Sequence, residues 1–384
     1  MKRARVALLS GWARARKALP HGLQDFLTHL PTSRTESTPA LCESRGWACN
    51  ALEPGSHRPL PAIEGTSAAF ARDFPAQAAV LPSWAQFAAE IPGGRVLGTA
   101  CTAIAPGGVV LADVSPHNWV RPEHHRAFVS FAWAPPPRRL PGITALAATS
   151  GRSNYYHWMF DMVPRIELVL SGMPGARIDR WLVPRTRLQA ATDLLAACGV
   201  DASRTCWQPR GGHVECERLL VSGPPAPLGG PTARSIAFLR ERCLRFAGAI
   251  APGGRRKLLL LRRGTRRIAN LADLEPVIRD HGLEAVATEG LGLAEQVRLF
   301  SEARVVVGVH GAGLANAVFM PPGAAMVEVM PPWYMTACYL VLANEAGMRY
   351  RAVEGGRADP AGKGAHQDVT VDPGQLDAQL RSLD

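Results

Sequence analysis

Val305-Val306-Val307-Gly308-Val309-His310-Gly311-Ala312-Gly313-Leu314-Ala315-Asn316 decides the fold class. The valine run reads as a strand buried on both faces, the kind found in parallel sheets. It leads straight into His310-Gly311-Ala312-Gly313, with a helix expected from near Gly313. Glycines there let backbone amides approach a ligand, and a helix N-terminus offers unpaired N–H donors and partial positive charge. That chemistry suits a pyrophosphate, although a tight strand-to-helix loop would look the same. The dinucleotide pattern G-x-G-x-x-G is not met, because Asn316 stands at the third glycine, and no G-x-x-x-x-G-K follows.

Working outward, the same alternation continues on both sides. Strands are expected at 258–261, 283–287, 304–309, 325–329 and 349–353. Between them fall helices at 271–281 (capped by Asn270, stopped by Gly282), 293–302 and 335–346. Apolar strands alternating with amphipathic helices make βαβ units, whose ligand sites lie at the carboxyl ends of the strands. Residues 232–355 are therefore a Rossmann-like lobe, opening with a helix at 235–249 and followed by a tail or helix at 356–384.

Two other strand ends carry chemistry. The strand at 258–261 delivers Arg262, Arg263, Arg266 and Arg267. Arginine matches phosphate oxygens bidentately and keeps its charge, although a solvated basic loop is the alternative for any single one. Glu328, inside the apolar run Val327-Glu328-Val329, needs a partner: ribose hydroxyls that it accepts from, or an arginine.

The amino-terminal part is less regular. Residues 1–90 are poorly defined, rich in proline, serine and arginine. Residues 91–228 form a mixed α/β lobe. Strands at 96–104 and 109–114 join around Pro106-Gly107-Gly108, and a short apolar run follows at 143–149. A helix starts from Asn154, capped by Ser153 or Asn154, with a strand at 180–183 and a helix at 188–198 beyond it. Pro224-Pro225-Ala226-Pro227 reads as a linker between the lobes. The site here is Asn154-Tyr155-Tyr156-His157-Trp158-Met159-Phe160-Asp161-Met162-Val163-Pro164-Arg165. On a helix, His157 and Asp161 share a face, and Arg165 continues it beyond a kink at Pro164. Such a pair is either a surface hydrogen bond or a general base with its orienting partner.

The totals fit a folded two-lobed chain: 384 residues, 47% of them hydrophobic. Net charge is +11, from 43 Lys+Arg against 32 Asp+Glu, but no aromatic-interleaved basic patch accompanies it, so no nucleic acid is expected. The eight cysteines show no Cys-x-x-Cys and no zinc spacing, which points to reduced thiols and a cytoplasmic chain. No apolar stretch is long enough to span a bilayer. The basic segment 1–19 could lie peripherally on an anionic membrane surface or stay solvated.

The segments 154–165, 262–270 and 310–328 together resemble glycosyltransferase family 61. The resemblance implies a GT-B fold, two Rossmann-like lobes with an active-site cleft between them. It also implies inverting, metal-independent transfer from a nucleotide-sugar, usually a UDP-sugar, to a glycan, lipid-linked or protein hydroxyl. The sequence contains no Asp-x-Asp, the metal-binding signature typical of GT-A transferases. On this reading Asp161 is the base, with His157 orienting it or exchanging roles with it. Asn154, Tyr156 and Arg165 bind substrate on the acceptor side. Arg262, Arg263, Arg267, His310, Gly311, Ala312, Gly313, Asn316 and Glu328 bind the donor. No cofactor or metal is expected. The alanine, arginine and glycine bias points to a bacterial surface polysaccharide, capsular or exopolysaccharide. The rivals are a nucleotide-sugar epimerase of the same architecture and a non-catalytic nucleotide- or glycan-binding protein of a polysaccharide assembly system.

Overall fold

A computed structural model describes residues 20, 23, 29–52, 86–115, 125–129, 134–148, 151–225, 230–248, 254–359, 361–362, 364 and 366–383. The basic segment 1–19 and the linker residues 226–229 lie outside the described residues. The chain divides into two compact units, the described residues up to 225 forming one and those from 230 onward the other.

The first unit is built on a mixed sheet. Its strands are β1 (Ser33–Thr35), β2 (Cys49–Ala51), β3 (Phe87–Pro92), β4 (Arg95–Leu97), β5 (Thr102–Ala105), β6 (Val109–Leu111), β7 (Arg138–Leu146), β8 (Arg180–Pro184), β9 (Thr205–Gln208) and β10 (His213–Ser222). They run in the order β1-β6-β5-β4-β10-β7-β8-β9, with β3 also on β10 and β2 on β3. The run β10-β7-β8-β9 is parallel, whereas β3, β4 and β5 meet their neighbours antiparallel, and β6 is antiparallel to β5 but parallel to β1. The single strand expected at 96–104 is broken in two by a turn. Gly98 and Cys101 adopt left-handed φ angles of 70° and 53° there, and Cys101 N donates to Gly98 O at 3.1 Å. Phe87, Ile91, Val96, Leu140, Leu182 and Leu219 fill the core.

The second unit carries the alternation read from the sequence. Its strands β11 (Arg256–Leu261), β12 (Glu284–Ala287), β13 (Ala303–Val309), β14 (Ala325–Met330) and β15 (Arg349–Glu354) are all parallel, in the order β12-β11-β13-β14-β15. Val306 and Val307 of β13 and Val327 and Val329 of β14 are fully buried. Each contributes roughly 1.5–3 kcal/mol over an exposed position. The last helix, Pro373–Arg381, joins this core through Leu376 and Leu380. The chain leaves β11 for β12 on one side and returns to β13 on the other. The strand order therefore reverses between β11 and β13, and the carboxyl ends of those two strands flank the crevice where such sheets bind ligands.

After β13 the chain turns into a 3₁₀ helix, Ala312–Phe319, rather than an α-helix. Buried Asn316 donates to Gly313 O at 3.1 Å and to Gln296 Oε1 at 2.8 Å, taking up a carbonyl that an α-helical turn would use. Arg240 then closes the far end, donating to Val318 O at 2.6 Å and Met320 O at 2.8 Å. Among the described residues no helix is long and apolar enough to cross a membrane.

Candidate functional site

Arg262 and Gly311 meet at the mouth of the β11/β13 crevice. A Cβ on Gly311 would run into the Arg262 guanidinium, so the glycine provides room for that side chain. Its φ of 173° is ordinary extended backbone, so space rather than conformation demands glycine here. Gly313 is similarly confined, since a Cβ would come within 3.1 Å of Leu260 and 3.3 Å of Thr288 Oγ1. Arg262 Nε donates to Thr265 O at 2.7 Å, which curls the loop back on itself.

That curl carries Arg266 inward. Its φ of 59° is left-handed, a conformation that costs a residue with a side chain energy. Arg266 is only 9% exposed, its guanidinium lies 5.0 Å from the ring centre of Tyr334, and its Nε and Nη1 have no hydrogen-bond partner among the described residues. A buried cation with idle donors is costly unless an anion completes it. Burial, and then the nearby Arg266 charge, pull the Arg262 pKa below its usual range. A phosphate would relieve both groups at once. The other two arginines have different surroundings. Arg263 is exposed, and its backbone N–H donates to Glu289 Oε1 at 3.2 Å. Arg267, also exposed, is ion-paired with Asp368 at 2.7 Å.

His310 sits one residue before Gly311. Its Nδ1 is 2.5 Å from Oε1 of Glu328, and Tyr350 OH donates to the other carboxylate oxygen at 2.5 Å. Glu328 is fully buried in β14, and among the described residues its ion-pair partner is His310, not the arginine expected as one of its two possible partners. Tyr339 OH donates to Gly311 O at 2.5 Å, fixing the turn. Burial pushes the Tyr339 and Tyr350 hydroxyls well above the usual phenol range, so both remain neutral donors. Asn316 holds the turn together from inside, so its contribution is to the shape of the loop. Tyr334, Tyr339 and Tyr350 were not among the expected site residues; in the sequence they look like ordinary core or loop aromatics.

In the first unit, Asn154 begins the helix as expected, its Oδ1 accepting from Tyr156 N at 2.9 Å. A short α-helical turn, Tyr155–His157, gives way to a π-helical turn, Trp158–Met162, before the helix Val163–Gly172. Pro164, which has no N–H, falls at the start of that last helix, where the missing donor costs least. π-turns inside helices frequently mark functional positions. Here His157 Nδ1 is 2.5 Å from Asp161 Oδ2, and both side chains stay partly exposed. Burial lowers the His157 pKa, but the hydrogen bond and charge of Asp161 outweigh it, leaving the imidazole above its ordinary value. Trp158, Met159 and Phe160 are wholly buried on the other side, and Trp158 Nε1 donates to Arg152 O at 2.7 Å. Gly151 packs so closely on His157 that a Cβ would collide with its ring.

Two expected substrate ligands take other roles. Tyr156 is buried, its ring 4.9 Å from that of Phe160. Arg165 is buried and donates to Ser222 O at 2.8 Å, and burial lowers its pKa to about 10. Its place is in the core. Among the described residues no group of three or more His, Cys, Asp or Glu could hold a metal ion.

Residues 155–327 match the family model Glycosyltransferase 61, a stretch that holds His157, Asp161, the arginine loop and the His310–Gly313 turn. A beta-1,2-xylosyltransferase of Oryza sativa subsp. japonica is 33% identical over 26% of this chain and 19% of its own length. An alpha-1,3-arabinosyltransferase of the same plant is 27% identical over 35% of this chain and 23% of its own. The protein O-linked-mannose beta-1,4-N-acetylglucosaminyltransferase 2 of Canis lupus familiaris is 32% identical over 40% of this chain and 28% of its own. The chain thus spans between 19% and 28% of the length of these relatives. The family match and the sugar transfer named in all three relatives support a glycosyltransferase.

Proposed function

We propose that the chain is an inverting, metal-independent glycosyltransferase of GT-B type, moving a sugar from a UDP-sugar to a hydroxyl of a glycan, lipid-linked or protein acceptor. Work in the cytoplasm on a surface polysaccharide is part of the same proposal. The observation that carries it is Arg266, buried with idle donors beside Arg262 and Gly311 where the strand order reverses.

His157 takes the proton of the acceptor hydroxyl at Nε2, while Asp161, held at 2.5 Å on Nδ1, keeps the ring in the productive tautomer. The oxygen then attacks the anomeric carbon from the face opposite the leaving group, and the bond to the diphosphate breaks. Negative charge grows on that diphosphate. Arg262, Arg266 and the backbone amides of the Gly311–Gly313 turn meet it, already oriented before the reaction begins. Glycosyl transfer by this route needs no metal, because the protein supplies the positive charge.

The test is incubation with a panel of UDP-sugars and polysaccharide or lipid-linked acceptors in the presence of EDTA, following UDP release and the configuration of the new bond. Acceptor-dependent UDP release with inverted configuration is expected. Isomerised donor without UDP release would make the protein an epimerase. Nucleotide binding with no turnover for any pair would make it a binding protein.

A further inference from the structure

We propose that Glu328, steadied by Tyr350, is a positioning residue that fixes the His310 imidazole with its proton on Nδ1, so that the Nε2 lone pair accepts from a hydroxyl of the donor nucleotide. The inference rests on the reading of Arg262, Arg266 and Gly311 as the diphosphate cradle.

Glu328 is fully buried in the apolar strand β14, and each of its oxygens is held at 2.5 Å, one by His310 Nδ1 and the other by Tyr350 OH. Its one ion-pair partner among the described residues is His310. An ionised carboxylate can only accept, so Nδ1 must carry the hydrogen. The hydrogen bond of the His310 ring among the described residues is made through Nδ1, which leaves Nε2 for a ligand. Carboxylate–histidine pairs use this logic elsewhere, the buried acid fixing both tautomer and ring orientation.

The surroundings leave the pair undisturbed. Tyr334 and Tyr339 flank the imidazole at 5.5 Å and 5.3 Å between ring centres. Tyr339 donates its hydroxyl to Gly311 O. The fixed charges nearby are Arg262 and Arg266, the second lying over Tyr334. Among the described residues no second acid is paired with Nδ1. Glu328 therefore acts through His310 and makes no contact with sugar or nucleotide.

The experiment is nitrogen NMR of the full chain labelled at the histidine ring nitrogens, with His310 assigned by its loss in His310→Gln, alongside UDP titrations. Wild type is expected to show a His310 Nδ1–H in a strong hydrogen bond, with UDP shifting Nε2 far more than Nδ1. Glu328→Gln should lose the strong Nδ1–H signal and bind UDP about tenfold more weakly. Tyr350→Phe, which removes only a hydroxyl, should keep the tautomer, move the Nδ1–H signal and weaken UDP a few-fold. An Nε2–H tautomer in a wild type that binds UDP overturns the positioning role, as does a folded Glu328→Gln with wild-type affinity. An Nδ1–H signature in a wild type that binds no UDP overturns the donor-site reading instead, and with it the ligand named here.

Discussion

Replacing Gly311 by alanine separates binding from folding at a single position. The added Cβ would occupy the space of the Arg262 guanidinium, whose Nη1 and Cζ are its nearest neighbours. The backbone itself accepts alanine, because φ is 173°. Relief comes from the flexible arginine swinging away, at the loss of its 2.7 Å bond to Thr265 O. Folding should therefore suffer by no more than about 1 kcal/mol. Binding loses a charge-assisted guanidinium–phosphate interaction, about 1.5–3 kcal/mol, or about ten- to a hundredfold in UDP affinity. Calorimetric titration with UDP, paired with a melting curve, reads both quantities. Arg262→Ala should cost a similar amount, and the double variant little more than either, since both changes remove the same contact. A Gly311→Ala protein that binds UDP within twofold of wild type refutes the reasoning. So does one that loses several degrees in Tm while keeping its affinity.

The first unit makes its own predictions. Because Asp161 holds His157 above its ordinary 6.5, kcat should rise with pH through a midpoint above that value, and Asp161→Asn should move the midpoint down as burial takes over; an unmoved midpoint excludes His157 as the base. The same raised value stabilises the fold fully below 6.5 and loses that effect as pH rises through the folded midpoint. The Tm gap between wild type and Asp161→Asn should accordingly narrow with rising pH, and a widening gap contradicts the pairing. Gly151→Ala, whose Cβ would strike the His157 ring, should lower kcat by about tenfold or more while leaving UDP affinity intact; unchanged turnover would show that the position of His157 does not matter.

The second unit was legible because its strands announce themselves. Runs such as Leu258 to Leu261 and Val305 to Val309 are apolar on both faces, and Gly282 and Gly347 mark the ends of the intervening helices. In the first unit β10 escaped notice, although it sits at the centre of the sheet. Its residues Glu215, Glu217 and Arg218 interrupt the apolar pattern, and a register shift between Cys216 and Arg218 breaks the two-residue period by which a strand is read. In the first unit, the four-residue spacing placed His157 and Asp161 on one face, and the structure brings their side chains to 2.5 Å. Partnerships across the sheet were another matter. Nothing near Glu328 in sequence shows that Tyr350, on the neighbouring strand, will share it with His310. Likewise Asn270, expected to cap a helix, bonds instead to the backbone of Val371, 101 residues away. The arginine loop offered four similar side chains; which one turns inward depends on the left-handed backbone at Arg266, and composition does not reveal that.

The central claim is that the donor's diphosphate binds at the β11/β13 crevice through arginines turned inward from this loop. Titration with UDP in EDTA, comparing wild type, Arg266→Ala and Arg267→Ala, tests it most directly. Wild type should bind without metal, Arg266→Ala should weaken UDP at least about tenfold, and Arg267→Ala, freed only of its exposed pair with Asp368, should stay within about twofold. A wild type that does not bind UDP, or a loss confined to Arg267→Ala, would contradict it.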